Sequence, residues 1–491
     1  METQLVDYSR LVAKWDLFLK AGHFRSIQEE LNNIEFDPQR VPRDMAVSIA
    51  KLLRRSGLIS ESIQLLSPIV NTDDPSEPPT DQEVIEYCQL LERAGVANEA
   101  LFRLNRISES SATEVLVLKA ASNVFNWRYQ EAIEKIDQYL SVAVIGDYQR
   151  TVVQVNRVSA LLYLERYDEA ATHIDHLLKT CIANLWNRLL VNCYELQAQL
   201  LFFQDDHAGA KASLRAATGI EVSDSSVDKF LLQKWSVIIQ YHESGNWSPV
   251  EQFIAEARKR KKWELVRDVE LHCLKINPTL ERIDNLYWGT PFRPFRERIK
   301  KLFPEVSREY YIHEKKPLAL NLENGELNGL VVLKPGKNTH RLLIALTEDF
   351  YKPMKVGTIF NALYPGENYD PTSSTNRVFR TISQARMDFL DCGLEIEIVE
   401  KDGEYRIRTG KSLCLRKSET QDQVTAFSVR YRKLYELFGF REFTRKEAAL
   451  GLNLKPTSAL RVIRECQNRG LVSKIGTGKN TFFCFLKNDL G

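Results

Sequence analysis

The chain has 491 residues, of which 44% are apolar and 27% charged, a composition typical of soluble globular proteins. This length predicts about three domains with a sizeable core. Residues 1–20 contain several charged side chains, and no apolar stretch is long enough to span a membrane. We therefore expect neither a signal peptide nor a membrane partner.

The formal net charge is only +2, but the charge is divided unevenly along the chain. Residues 1–290 carry 32 Lys and Arg against 41 Asp and Glu, a net charge of −9. Residues 291–491 carry 35 against 24, a net charge of +11. An acidic first part and a basic second part indicate that nucleic acid, if bound, is bound by the second part.

Motifs that would indicate catalysis are missing from the sequence. It contains no GxxxxGK[ST] loop, no HExxH and no GxSxG. The eight cysteines form no CxxC pair, so we expect free thiols in a reducing cytoplasm. His173 and His176 lie three residues apart, but no cysteine or carboxylate cluster accompanies them, and exposed helix positions explain both. We predict a non-enzymatic protein without a metal or cofactor.

Short similar segments recur along residues 1–285, each consisting of a tight turn followed by a helix. In each, a bulky or apolar residue is followed three positions later by a small or aliphatic one. These second members are 35, 38, 32, 38, 40 and 40 residues apart, and they are Ile27, Ser62, Ala100, Ala132, Ala170, Ala210 and Val250. Two helices with a tight turn at such a period are typical of a solenoid.

Two of the segments, NWRYQEAIEKIDQYL from Asn126 and ERYDEAATHIDHLL from Glu165, resemble tetratricopeptide repeats. The resemblance implies a helical-repeat array over residues 1–285. Such an array buries a core between neighbouring repeats and leaves a concave face free. We therefore expect it to bind a protein or peptide partner, or a second copy of itself; a spacer without a ligand is the alternative.

Residues 286–316 are predicted to be a linker with a basic capping helix at 294–302, and residues 317–411 an α+β domain. The domain begins with two strand-like runs, LALNL and LVVLK, followed by helices at 339–349, 357–363 and 371–391. It ends in the hairpin LEIEIVEKDGEYRIR, whose turn is Lys401-Asp402-Gly403. This order resembles the winged helix of the OmpR/PhoB family.

That resemblance implies that the helix 371–391 recognises DNA. Its polar face would then carry Thr375, Asn376, Arg377, Arg380, Thr381, Gln384 and Arg386, while Val378, Phe379, Ile382 and Leu390 pack inward. The hairpin is acidic, however, with Glu397, Glu400, Asp402 and Glu404, and an acidic hairpin is unsuited to phosphate contacts. The sequence leaves two alternatives open: DNA binding through the helix alone, or a protein-docking role.

Residues 412–423 are polar and are expected to form a flexible tether to a last domain at 424–491. There, Thr444 and Glu447 predict a capping box on a helix that ends near Gly451. A second helix starts at Lys455-Pro456-Thr457, with Leu460, Ile463 and Cys466 facing inward. A hairpin at 472–475 and 481–486 follows. This order resembles the winged helix-turn-helix of the MarR/GntR kind.

Residues 411–491 carry 16 Lys and Arg against 7 Asp and Glu, which suits a partner with a phosphate backbone. The resemblance implies that double-stranded DNA is contacted by Lys455, Thr457, Ser458, Arg461 and Arg464 on the second helix, and by Lys474, Lys479 and Asn480 in the hairpin.

The sequence thus predicts a mostly α protein, in which a solenoid resembling tetratricopeptide repeats precedes two α+β winged-helix domains. The function that this organisation indicates is a DNA-binding transcription regulator. The alternative is a non-enzymatic assembly scaffold, similar to helical-repeat proteins that end in a PCI domain, whose winged helices dock other proteins.

Overall fold

The computed structural model describes residues 8–20, 27, 29–31, 37–72, 74, 76–109, 113–142, 144–220, 226–312, 314–418, 426–468, 471–476 and 481–485. Up to Leu302 the described elements are helices, and strands begin at Glu309. The chain is therefore mostly α, with helical repeats followed by an α+β region, as predicted. Within the described ranges, no helix is both long enough and apolar enough to cross a bilayer.

The chain divides into two compact units. The first comprises residues 1–106, 308–347 and 353–491, and the second comprises residues 107–307 and 348–352. Each unit thus contains helical repeats, and the first also contains most of the α+β region. The predicted division of the chain into independently folding domains therefore remains a prediction.

The helices of the repeats contain 8 to 19 residues, and several of them are connected by tight turns. In the first unit they are α1 (Tyr8–Lys20), α2 (Arg43–Arg55), α3 (Ile59–Val70), α4 (Asp81–Ala94) and α5 (Ala97–Leu104). A 3-10 turn, Pro38–Arg40, precedes α2. In the second unit they are α6 (Glu114–Phe125), α7 (Tyr129–Val142), α8 (Asp147–Tyr163), α9 (Tyr167–Ala183), α10 (Asn187–Phe203), α11 (His207–Thr218), α12 (Ser226–Ser244), α13 (Ser248–Lys259), α14 (Trp263–Leu274), α15 (Leu280–Trp288) and α16 (Arg293–Leu302).

The small or aliphatic residues singled out by the repeat spacing are among the most deeply buried positions of these helices. All seven, Ile27, Ser62, Ala100, Ala132, Ala170, Ala210 and Val250, are 0% exposed. Ser62 shows what such a position faces, since its hydroxyl donates to the Ala50 carbonyl of the preceding helix at 2.9 Å. A small side chain at such a position lets two antiparallel helices approach closely. The burial of all seven positions confirms the prediction of helical repeats.

A left-handed backbone conformation marks the turn in six of the repeats. It occurs at Gly57 (φ 82°), Gly95 (90°), Trp127 (60°), Glu165 (61°), Asp205 (61°) and Gly245 (67°), each five residues before one of these buried positions. A positive φ reverses the chain in very few residues and satisfies carbonyls at the end of the preceding helix. In the sequence, only the glycines among these residues indicate a left-handed conformation.

Five strands form a mixed sheet in the first unit, in the order β1-β8-β2-β3-β4. They are β1 (Glu309–Ile312), β2 (Leu318–Asn321), β3 (Glu326–Leu327), β4 (Leu330–Val331) and β8 (Leu413–Ser418), with β8 antiparallel to β1 and parallel to β2. The predicted tether is therefore wrong for residues 413–418, while residues 419–423 lie outside the described residues. Leu413, Cys414 and Leu415 are buried in succession, so the strand lacks the alternation that would predict it.

Three helices and a smaller sheet complete the middle of the α+β region. The helices are α17 (Asn338–Leu346), α18 (Val356–Leu363) and α19 (Ser373–Asp391), and the sheet has the order β5-β7-β6, from β5 (Met354–Lys355), β6 (Ile396–Lys401) and β7 (Glu404–Thr409). Asp402 and Gly403 both have positive φ in the β6–β7 turn, as a two-residue hairpin requires.

Of the four residues predicted to face inward on α19, two are buried and two are exposed. Val378 and Ile382 are buried as expected, but Phe379 is 44% exposed and Leu390 71% exposed. Ala385 and Phe389 take the inward positions, so the buried stripe follows the spacing i, i+4, i+7, i+11 from Val378. Hydrophobicity alone misassigned Phe379 and Leu390, which lie on the other side of the helix.

The last described elements are α20 (Ala426–Phe438), α21 (Arg445–Leu452), α22 (Pro456–Asn468), β9 (Val472–Ile475) and β10 (Phe482–Phe485). They enclose a core of their own, which includes Leu434, Phe443, Ala459, Ile463 and Cys466. Phe443 also pairs through its backbone with Phe483, its amide donating to the Phe483 carbonyl at 2.9 Å. This third strand-like contact beside the β9–β10 hairpin is not apparent in the sequence.

Candidate nucleic-acid interface

Helix α21, which precedes the turn into α22, is capped at both ends. The Thr444 side chain accepts from the Glu447 amide, and a Glu447 carboxylate oxygen accepts from the Thr444 amide at 2.7 Å, so the predicted capping box is confirmed. Asn453 ends α21 in the left-handed conformation. The Leu454 amide then donates to the Ala449 carbonyl at 2.9 Å, which sets the direction in which α22 begins.

The two faces of α22 differ sharply in chemistry. Ala459, Val462, Ile463 and Cys466 are buried, and Leu460 is partly buried. The opposite face exposes five of the predicted DNA-binding residues, Lys455, Thr457, Ser458, Arg461 and Arg464. Three cations and two hydroxyls on one exposed face are side chains that can donate to phosphate oxygens and base edges.

The hairpin after α22 contributes one predicted DNA-binding residue that the structure describes. Lys474 is exposed on β9, where its backbone pairs with Phe483 of β10. The other two predicted residues, Lys479 and Asn480, lie outside the described residues.

The predicted residues of α19 fall into two groups. Asn376, Arg380 and Gln384 are exposed, and Gln384 donates to Asp388 at 2.7 Å. These three border an open groove of about 630 Å³, lined by Asn376, Phe379, Arg380, Ser383, Gln384 and Met387. Thr375 and Arg377, near the start of the helix, are only partly exposed. Of the other two residues predicted on the polar face, Arg386 is exposed, but Thr381 is buried, so its assignment is wrong.

Arg377 is held against its own module. Its Nη1 donates to Glu367 Oε2 at 2.6 Å, and its guanidinium lies 3.9 Å from the centre of the Tyr364 ring. The hydrogen bond to Glu367 raises the pKa of Arg377 above the ordinary arginine value.

Glu367 also contacts the other candidate helix. Arg461 Nη2 of α22 lies 3.4 Å from Glu367 Oε1, an oxygen that is buried and accepts no hydrogen bond within the described part of the chain. One carboxylate therefore pairs with a predicted DNA-binding arginine from each of the two modules. Sequence reasoning missed Glu367, because a single glutamate in a polar loop carries no signal of its tertiary partners.

Further arginines surround this contact. Burial lowers the pKa of Arg341 on α17, Glu465 opposes that effect, and Arg461 and Arg430 reinforce it. Such mutual effects require these groups to lie near one another. Arg341, Arg430 and Arg461 thus lie close enough to influence one another, and Arg377 and Arg461 both pair with Glu367, so several arginines gather at the contact between the modules.

The loop that carries Glu367 also touches the helical repeats of the same unit. Arg103 of α5 donates to Asn368 Oδ1 at 3.1 Å, and the Tyr369 amide donates to Glu99 Oε2 at 2.8 Å. Close packing supports these bonds, since a Cβ added at Gly95 would lie 2.4 Å from Thr358 Oγ1 and one at Gly357 would lie 2.3 Å from the Ala94 carbonyl.

Among the described residues, no group of three or more His, Cys, Asp or Glu side chains is arranged to hold a metal ion. The pKa of His173 is lowered by burial and by Arg157, whose Nη1 lies 3.1 Å from His173 Nε2.

No family model matches the sequence, and no curated protein matches it. Among solved structures, the chain is similar to the Rap conjugation gene regulator of the plasmid pLS20 in complex with the Phr* peptide, at 12% identity and a TM-score of 0.35, over 79% of this chain and 98% of that one.

Proposed function

We propose that this protein is a DNA-binding transcription regulator whose last module, residues 424–491, is a winged helix that contacts duplex DNA. The observation that carries the proposal is the exposed face of α22. Lys455, Arg461 and Arg464 lie there with two hydroxyls, on a helix that follows a capped helix through a tight turn and precedes a two-stranded hairpin. A helix in this position has the side chains that groove recognition needs.

The charge distribution supports the same assignment. Residues 411–491 have a net charge of +9, from 16 basic and 7 acidic side chains, whereas residues 1–290 have a net charge of −9. Duplex DNA is therefore attracted to the last module and repelled by the repeats. For the repeats, we propose a protein or peptide partner, because stacked helical hairpins form an extended surface along which a polypeptide can bind.

The test is a salt series with the full chain and a labelled duplex, followed by fluorescence anisotropy. Between about 50 and 200 mM salt, the logarithm of the association constant should fall linearly with the logarithm of the salt concentration, by roughly 0.9 per phosphate neutralised. Arg464→Ala and Lys455→Ala should each weaken binding and flatten the slope by about one. Lys301→Ala, which removes an exposed cation of α16, is the matched control.

Two results would count against DNA binding. One is the absence of duplex affinity at the lowest salt, which would favour the assembly scaffold. The other is an equal loss in Lys301→Ala and Arg464→Ala, which would indicate attraction by net charge alone. Hydrogen exchange on the full chain adds a spatial readout: duplex DNA should protect amides within 426–468 and leave those of residues 37–285 unchanged.

A further inference from the structure

Three consecutive loop residues connect the helical repeats of the first unit with both candidate DNA helices. Glu367 pairs with Arg377 of α19 at 2.6 Å and with Arg461 of α22 at 3.4 Å. The next two residues, Asn368 and Tyr369, bond to Arg103 and Glu99 of α5, at 3.1 Å and 2.8 Å respectively. A displacement of α5 therefore acts directly on the loop that holds the arginines.

The repeat side of this connection is firmly anchored. The side chains of Arg103 and Glu99 are 15% and 8% exposed and pair with each other at 2.8 Å. Arg103 also donates to Asn71 at 2.5 Å and lies 5.1 Å from the centre of the Tyr87 ring. Because these groups are packed, the loop follows α5 rather than moving independently of it.

Building on the proposed function, we propose that the loop 367–369 is an autoinhibitory clamp: Glu367 competes with DNA phosphate for Arg461 and Arg377, and the repeats set the strength of that competition. An arginine fork that is paired with a carboxylate cannot pair with a phosphate in the same geometry. While Glu367 pairs with both arginines, the affinity for DNA is reduced. The exposed Lys455 and Arg464 account for the remaining DNA binding.

A partner that binds the repeats and displaces α5 draws the loop away and frees both arginines. Coupling between two binding sites is reciprocal, so duplex DNA and such a partner strengthen each other's binding. Opening leaves Arg377 and Arg461 without the Glu367 carboxylate, and DNA phosphate then takes its place as their anionic partner.

The primary test compares the full chain with Glu367→Gln, which removes the charge and keeps the shape. Anisotropy titrations at fixed salt should show about 3- to 10-fold tighter duplex binding, as the two partly exposed ion pairs of Glu367 cease to compete. Glu397→Gln is the matched control, because this exposed carboxylate of β6 gives the same change in net charge without contact to either arginine. It should change affinity by no more than about 2-fold.

A double-mutant cycle separates the clamp from a general charge effect. In the wild type, Arg461→Ala should cost little, because Glu367 already occupies that arginine. In the Glu367→Gln background, Arg461→Ala should abolish most of the gain. If Glu367→Gln instead loosens the fold, a lower thermal midpoint reveals it, and Asn368→Ala provides a second route. That variant removes the bond to Arg103 and should raise affinity by a smaller factor, with no further gain when combined with Glu367→Gln.

The outcomes are distinguishable. If wild type binds duplex DNA and Glu367→Gln binds it equally well or more weakly, the clamp is overturned and the proposed function stands. If no variant binds duplex DNA at low salt, the proposed function fails and the clamp with it. Tighter binding by Glu367→Gln, faster exchange of the Tyr369 amide on DNA addition and the predicted non-additivity together support the clamp.

Discussion

Arg267 and Asp349 form a bidentate ion pair in the second unit, in which Arg267 Nη2 donates to both carboxylate oxygens at 2.9 Å. The Arg267 side chain is completely buried and also pairs with Glu264 at 2.5 Å. Its guanidinium lies 5.0 Å from the ring centres of both Phe292 and Tyr351. The segment 348–352 is thereby fixed to α14 through a charge that has no access to water.

Asp349→Ala should strongly destabilise the second unit. It leaves a buried guanidinium with Glu264 as its one observed carboxylate partner among the described residues, and breaking a buried pair in this way costs about 3 kcal/mol. Urea unfolding followed by tryptophan fluorescence measures the effect. Glu305→Gln, at an exposed position in the same unit, should shift stability by less than about 0.5 kcal/mol. Equal midpoints for the two variants would contradict a structural role for the pair.

The buried small position of each repeat should tolerate no larger side chain. Ala210→Leu forces three extra carbons into a helix contact that has no exposed surface, so overpacking should cost about 1–3 kcal/mol. Ala212→Leu makes the same change two residues later on α11, where the side chain is exposed, and should be neutral within about 0.5 kcal/mol. Thermal unfolding of both variants tests this difference, and a neutral Ala210→Leu would show that the repeat packing is misassigned.

At the left-handed turn positions, substitution to glycine and substitution from glycine should have opposite effects on stability. Asp205 has φ 61°, a conformation that costs an L-residue about 1 kcal/mol, so Asp205→Gly should stabilise by roughly 0.5–1 kcal/mol. Gly245 has φ 67° at the equivalent turn, with open space where the Cβ of an alanine would lie, so Gly245→Ala should destabilise by about 1 kcal/mol through backbone strain alone. Changes of the same sign in both variants would refute the equivalence of the two turns.

Glu109 makes the stability of the second unit depend on pH in the acid range. It accepts from Lys119 Nζ at 2.7 Å and Lys135 Nζ at 2.9 Å, and these bonds lower its pKa from the usual 4.5 to about 2. Because the folded-state pKa is depressed, its contribution is fully present above about pH 4.5 and is lost as pH falls towards about 2. The stability difference between wild type and Glu109→Gln should therefore shrink over that window.

Urea midpoints measured at a series of pH values provide this comparison. Glu114→Gln, which removes an exposed carboxylate nearby, is the control and should show a smaller difference. A difference between wild type and Glu109→Gln that stays constant down to about pH 3 would contradict the assigned ion pairs.

The helical repeats were predictable because their signal is local and repeated. A small residue such as Ala170 or Ala210 at the fourth position of a helix recurs at a nearly constant period, and each copy is an independent indication of the same hairpin. The capping box at Thr444 and Glu447 was predictable for a similar reason, since both partners lie within one turn of helix. Neither inference needs knowledge of distant segments.

Long-range pairing was not predictable from the same patterns. Strand β8 lies between β1 and β2, which are about a hundred residues earlier in the chain, and its three consecutive buried residues give no alternation. Likewise, Phe379 and Leu390 were assigned inward by residue type, whereas the packing of α19 on its neighbours decided that Ala385 and Phe389 face the core.

The sequence by itself determined the helical repeats, the three helices and the β6–β7 hairpin of the α+β region, and the polar residues presented by α22, because periodicity, capping and turn chemistry act within a few residues of each other. Only the tertiary structure decided that Arg377 and Arg461 share Glu367, and that the adjoining residues Asn368 and Tyr369 bond to α5. An ion pair depends on distance in space, and residues 94 positions apart in the chain have no local pattern that could reveal it.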